Sequence, residues 1–243
     1  MTSIIVNCAA VIAGALIGCV FSRKISSSLS DIVQTGAGVI TLIIGMQMAF
    51  EYESIICLAI CLFLGGITGT WIDIDGAILK LGNKLETLVK KPVPEAGEGT
   101  ELSQENGNKN FAYAFLNASV LFCVGAMAIL GSLKAGIDHD YTIIYTKSIL
   151  DGFMAIVFSA SMGIGTAFSC LTILVYQGVL TLMAGVVAPY IDQNMLNELS
   201  ACGGAMIIMI GINLLGLKKI KTANYLPALI FVVVFVCVQK IFV

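Results

Sequence analysis

Apolar residues along the chain gather into eight runs of about twenty, the length at which a helix crosses the apolar core of a bilayer. The runs cover residues 3–21, 31–50, 54–72, 111–133, 148–168, 171–190, 199–217 and 225–242. They predict an all-α membrane protein with about eight transmembrane helices. Between the third and fourth runs, Ile74, Ile78, Leu81, Leu85 and Leu88 recur at helical spacing, with Lys80, Lys84 and Lys90 among the polar positions. That pattern predicts an interfacial amphipathic helix over 73–90, lying on an anionic leaflet. Residues 91–110 are polar, acidic and glycine-bearing with no apolar period, and predict a flexible cytoplasmic loop. The chain reads as a single membrane domain over 1–243.

Composition agrees with this pattern. Of the 243 residues 58% are apolar and only 12% charged, and the mean hydropathy is +0.97, well outside the range of soluble domains. Residues 1–6 carry no basic residue, and no small-x-small cleavage pattern follows the first run, so the first helix is expected to be retained. Charge placement predicts orientation. With the amino terminus outside, Arg23, Lys24, Lys80, Lys84, Lys90, Lys91, Lys109, Lys218, Lys219 and Lys221 are cytoplasmic, leaving Lys134, Lys147 and Lys240 outside. By the positive-inside rule both termini are then outside.

Glycines mark where helices can approach closely. Gly14 and Gly18 have GxxxG spacing, a helix-packing signal. Laying the second run on the seventh with an offset of 166 brings Gly38 onto Gly204, Gly45 onto Gly211 and Gln47 onto Asn213. Helices one to three would then correspond to helices six to eight. Copies five helices apart run in opposite directions, the inverted-topology repeat of many secondary transporters. Gly125 and Gly131 allow a break in the fourth run, although a continuous helix is expected there.

Candidate chemistry follows from the polar groups at membrane depth: Asp151, Asn7, Asn117, Gln177, Gln47 and Asn213 are the predicted ion- or substrate-binding residues. An ionisable residue inside a span is a functional-site hypothesis by default. Asp151 is the one carboxylate that falls inside a predicted run rather than at the edge of one, and Lys147 precedes it by one helical turn. Each amide has the alternative role of interhelical hydrogen-bond glue. The eight cysteines lie in apolar runs as small hydrophobes, with neither the spacing nor the partners of a metal or redox site. His139 sits between Asp138 and Asp140 in a short loop and reads as solvated. No HExxH, GxSxG, P-loop or dinucleotide fingerprint occurs, so no enzyme, cofactor, metal or nucleic-acid partner is expected.

The segments FCVGAMAILGSL (122–133), KSILDGFMA (147–155), YQG (176–178), GGAMIIMIGINLLGLKKIK (203–221) and NYLPAL (224–229), with Gly163 and Gly165, are similar to those of the YqgA/YdfK family of uncharacterised bacterial integral membrane proteins. The resemblance runs from Asn7 to Pro227. It implies a bacterial plasma-membrane protein and carries over Asn7, Gly125, Gly131, Lys147, Asp151, Gln177, Gly178, Gly204, Gly211, Asn213 and Pro227, without a reaction. The residues themselves point to a small secondary transporter or ion-coupled permease for a small solute or cation, with Asp151 binding Na⁺ or a proton. The alternatives are a passive pore dimerised through GxxxG faces and a non-transporting membrane scaffold or regulator.

Overall fold

The computed structural model describes residues 1–22, 27–89 and 101–242, and among them every regular element is helical. The longer helices are α1 (Thr2–Ser22), α2 (Ser27–Ala49), α3 (Ile55–Ile72), α4 (Ile74–Val89), α5 (Glu101–Cys123), α6 (Ala126–Ile137), α7 (Thr142–Met162) and α8 (Gly165–Leu182). A single turn, α9 (Ala184–Val187), leads into a 3₁₀ turn at Ala188–Tyr190. Then come α10 (Gln193–Leu214), a 3₁₀ turn at Thr222–Tyr225, and α11 (Pro227–Phe242). Among the described residues seven helices are long and apolar enough to cross a membrane, and the bent pair α5–α6 makes an eighth crossing if it is one span.

The helices are organised inside out relative to a soluble bundle. The covered stripe of α1 is Ser3, Ile4, Asn7, Val11, Gly14, Ala15 and Gly18, at helical spacing. Its exposed face is Ile5, Leu16, Ile17, Val20 and Phe21, side chains that suit lipid. The facing stripe of α7 is Ile144, Lys147, Ser148, Asp151, Ala155, Phe158 and Ser159. The two helices are parallel, since Asn7 meets Asp151 and the Ala15 carbonyl accepts from Ser159 Oγ (2.8 Å). Gly14 and Gly18 lie against the backbone of Gly152 and Ile156, where any added Cβ would collide. The GxxxG pair is therefore occupied within the chain, and a homodimer would need another surface.

Helix α10 runs through the centre, with 72% of its span covered. Its first half, from Met195 to Cys202, packs with α3, α6 and α11, while Met206, Ile207, Ile210 and Leu214 join the core around α1, α5, α7 and α8. Helix α2 lies antiparallel to α10: Gly45 abuts Gly204 and Ile208, Gly211 abuts Leu42, and Gly38 abuts Leu215. Helix α3 lies antiparallel to α11, with Gly65 against Ala228 and Gly69 against Asn224.

Four sequence expectations change. The fourth span is not continuous: α5 and α6 meet at 62° across Val124 and Gly125. Gly125 has φ +136°, a conformation natural to glycine and strained for other residues. Residues 101–110, expected as loop, are helical and extend α5 towards its amino end. Once a helix is nucleated each added residue gains a hydrogen bond, so the helix continues into polar sequence. Residues 90–100, the rest of that expected loop, lie outside the described residues. Helices α7 and α10 begin about six residues earlier than their apolar runs. Asp140 Oδ1 accepts from the Thr142 amide (3.0 Å), and Asp192 caps α10 by accepting from the Met195 amide (3.0 Å), so polar sequence becomes helix. Helix α4 forms as expected, with Ile74 and Ile78 packed on the core.

Candidate functional site

The early start of α7 carries Lys147 from a predicted loop into the body of a spanning helix. Lys147 and Asp151 are 6% and 7% exposed and form an ion pair through Nζ and Oδ2, one turn apart. Two amides complete the assembly. Asn7 Nδ2, from α1, donates to Asp151 Oδ2 (3.1 Å) and to Gln177 Oε1 of α8 (3.4 Å). Both amides are fully covered. The Phe122 ring, on the turn that ends α5, has its centroid 5.9 Å from Lys147 Nζ, within cation–π range. The ion pair therefore adjoins the helix break.

Two polar atoms in this assembly are left without partners: Asn7 Oδ1 and Gln177 Nε2. Buried polar groups are normally satisfied, so orphans of this kind mark places where something else can bind or where the network rearranges. Desolvating a charge costs several kcal/mol, and removing one member of a buried pair leaves the other uncompensated. Lys147 is therefore the resident countercharge of Asp151. Asn7 Nδ2 bridges two oxygen acceptors, the Asp151 carboxylate and Gln177 Oε1, and oxygen is the ligand type that suits a proton or a hard cation. Among the described residues no three His, Cys, Asp or Glu side chains converge in a metal-holding geometry.

The other predicted site residues go elsewhere. Asn117 is fully buried in α5, but its Nδ2 donates to Met162 Sδ (3.9 Å) and its Oδ1 is orphaned. Met162 lies eleven residues beyond Asp151 on α7, about 16 Å further along the helix, so Asn117 occupies another depth. Gln47 is exposed on α2 near its carboxy-terminal end and joins no polar cluster. Asn213 ties the end of α10 to the following turn: Oδ1 accepts from the Ile220 amide (2.7 Å), and Nδ2 donates to the Ile220 carbonyl (2.9 Å). Of the six predicted binding residues, Asp151, Asn7 and Gln177 come together, while Asn117, Gln47 and Asn213 do not join them. The packing glycines Gly38, Gly45, Gly204 and Gly211 do sit at helix contacts.

Asp151 is also not the only carboxylate inside a span. Glu198, just ahead of the predicted run 199–217, is 1% exposed within the crossing Gln193–Leu214. The cue was the pair Asp192 and Gln193 seven residues ahead of Leu199, a capped helix start. His139, with φ +53°, lies exposed in the loop between α6 and α7. All eight cysteines are free.

Next to the helix break is an open, mainly apolar cavity of about 700 Å³, lined by Val124, Gly125, Tyr176, Leu199, Leu226 and Leu229 among others. Non-helical backbone at membrane depth is tolerated where protein buries it or a cavity adjoins it.

The model of a family described as "Protein of unknown function (DUF554)" matches residues 2–237. The chain is 31% identical over 242 residues to "Uncharacterized membrane protein YdfK" of Bacillus subtilis (strain 168), covering 97% of this chain and 96% of the relative. It is 25% identical over 229 residues to "Uncharacterized protein YqgA" of Escherichia coli (strain K12), covering 93% and 92%. No solved structure matches. A match along nearly the whole length, together with spanning helices where the family resemblance implies a membrane protein, makes this chain a member of the DUF554 family of membrane proteins.

Proposed function

We propose that this protein is a small ion-coupled secondary transporter of the bacterial plasma membrane, with both termini outside, and that Asp151 binds the coupling ion. The observation that carries this reading is the buried Lys147–Asp151 pair set among amides with orphaned atoms beside a broken helix. A proton or Na⁺ arriving at Asp151 replaces Lys147 as its countercharge. Lys147, on a flexible four-carbon stem, then leaves the carboxylate, and the orphaned Asn7 Oδ1 is an acceptor still free in the same assembly. Binding thus exchanges one buried cation contact for another, which lets ion occupancy bias a conformational equilibrium. Support for an inverted repeat comes from the antiparallel contacts of α2 with α10 and α3 with α11, the pairs that the 166-residue offset relates. Sites in such transporters lie near the midplane where copies meet and use discontinuous helices.

The test uses full-length protein in proteoliposomes, with sodium or proton gradients as probes, radioactive sodium uptake and a lumenal pH dye as readouts. The control is Lys147→Met/Asp151→Leu, which removes both charges and so avoids stranding either one. Saturable, gradient-dependent flux in the native chain and none in the folded double variant is the expected result. Flux that rises without saturation and survives the double substitution favours a passive pore. Absence of flux in both favours a scaffold.

A further inference from the structure

Glu198 presents a second buried carboxyl that the Asp151 assembly does not use. It sits 1% exposed on α10. Its Oε1 accepts from the Ser54 amide (2.6 Å), the N-cap of α3, and its Oε2 has no partner. The titratable groups facing it are thiols: Cys57 and Cys61 from α3, and Cys202 one turn on along α10. The basic residue of α11, Lys240, is engaged by Asp192 (2.8 Å). Among the described residues an ionised carboxylate here would be a buried charge with the Ser54 amide and the Cys57 thiol as contacts and no cation, a costly arrangement. A hard metal cation would need several oxygen ligands, and thiols are soft. The species that satisfies the site is a proton carried on Oε2.

We infer that Glu198 is a second proton-binding site, carrying a proton on Oε2 and exchanging it with the membrane face at which the α2–α3 turn lies. A route to that face is at hand, because the residues preceding the two contact partners are polar, Glu53 exposed and Asn197 half-buried. Asn197 Nδ2 donates to Glu53 Oε1 (2.8 Å), and Gln193 Nε2 donates to Asn197 Oδ1 (2.7 Å). Release breaks the O–H bond at Oε2 and passes the proton to water at that surface, leaving the electron pair on the carboxylate. The inference stands independently of Asp151.

Infrared spectra of the full-length protein in lipid, taken over a pH series in H₂O and D₂O, test it. The native chain shows the carbonyl stretch of a protonated carboxyl in apolar surroundings at neutral pH. That band shifts in D₂O, disappears on alkalinisation, is absent from Glu198→Gln and persists in Lys147→Met/Asp151→Leu. Glu198→Asp keeps the acid but moves the band, which assigns it even if Glu198→Gln fails to fold. The inference is overturned by a native chain with no such band at neutral pH, by a band indifferent to D₂O and pH, or by one lost in the Asp151 double variant.

Discussion

Lys147 and Asp151 can remain buried because each neutralises the other. Asp151→Ala leaves an ammonium without a partner and is expected to cost about 3–5 kcal/mol, whereas Lys147→Met/Asp151→Leu recovers most of that loss. Thermal unfolding of the three purified proteins in one detergent measures both effects. Asn7→Leu removes the donor to Asp151 and Gln177 and is expected to cost about 1–3 kcal/mol in the same assay, the range for leaving a buried partner unsatisfied. Of the site, Asp151 was legible because a lone acid in an apolar run is conspicuous, and Asn7 and Gln177 because amides at depth are few. Gln47 and Asn213 misled for the same reason: hydropathy gives depth, but not the direction a side chain takes around its helix. Glu198 was missed because six polar or small residues in the ten from Ile191 to Ser200 dilute the apolar signal, and only the Asp192 cap reveals that the segment is helix.

At the scale of elements, caps and glycines set the boundaries that hydropathy blurs. Asp192 caps α10 and pairs with Lys240, and these contacts, the Lys240 bond first, hold its carboxyl below the usual carboxylate value of 3.8. A depressed folded value means that its stabilisation is present above the unfolded value and is lost as pH falls through the folded one. Asp192→Ala is therefore expected to lower stability by about 0.5–2 kcal/mol near neutrality, mostly through the cap. The half-exposed ion pair adds little in water. The gap between variant and native chain should close in acid, as followed by pH-dependent melting. Gly125→Ala forces an alanine into φ +136° at the helix break and is expected to cost about 1–3 kcal/mol. Gly18→Leu would drive α1 away from α7, with a comparable loss from overpacking. Helix number was readable because span length is fixed by the bilayer. The break was open but not expected, since in the sequence Gly125 looks no different from Gly131, which serves for packing against Ile143 and Ile144.

For the whole molecule, two bundles share α10: α1, α5, α7 and α8 around the ion pair, and α3, α6 and α11 around Glu198. Asp151 and Glu198 are buried carboxyls in different bundles, so charge movement in one can be separated from protonation in the other by substitution. The central claim is that Asp151 exchanges Lys147 for an arriving cation. The direct measurement is the transient current of full-length protein on a solid-supported membrane after a jump in Na⁺ concentration or pH. The account predicts a saturable transient in the native chain, retained in Glu198→Gln and abolished in a Lys147→Met/Asp151→Leu protein of native-like thermal stability. An unchanged transient in that double variant, or none in the native chain under either jump, would contradict it.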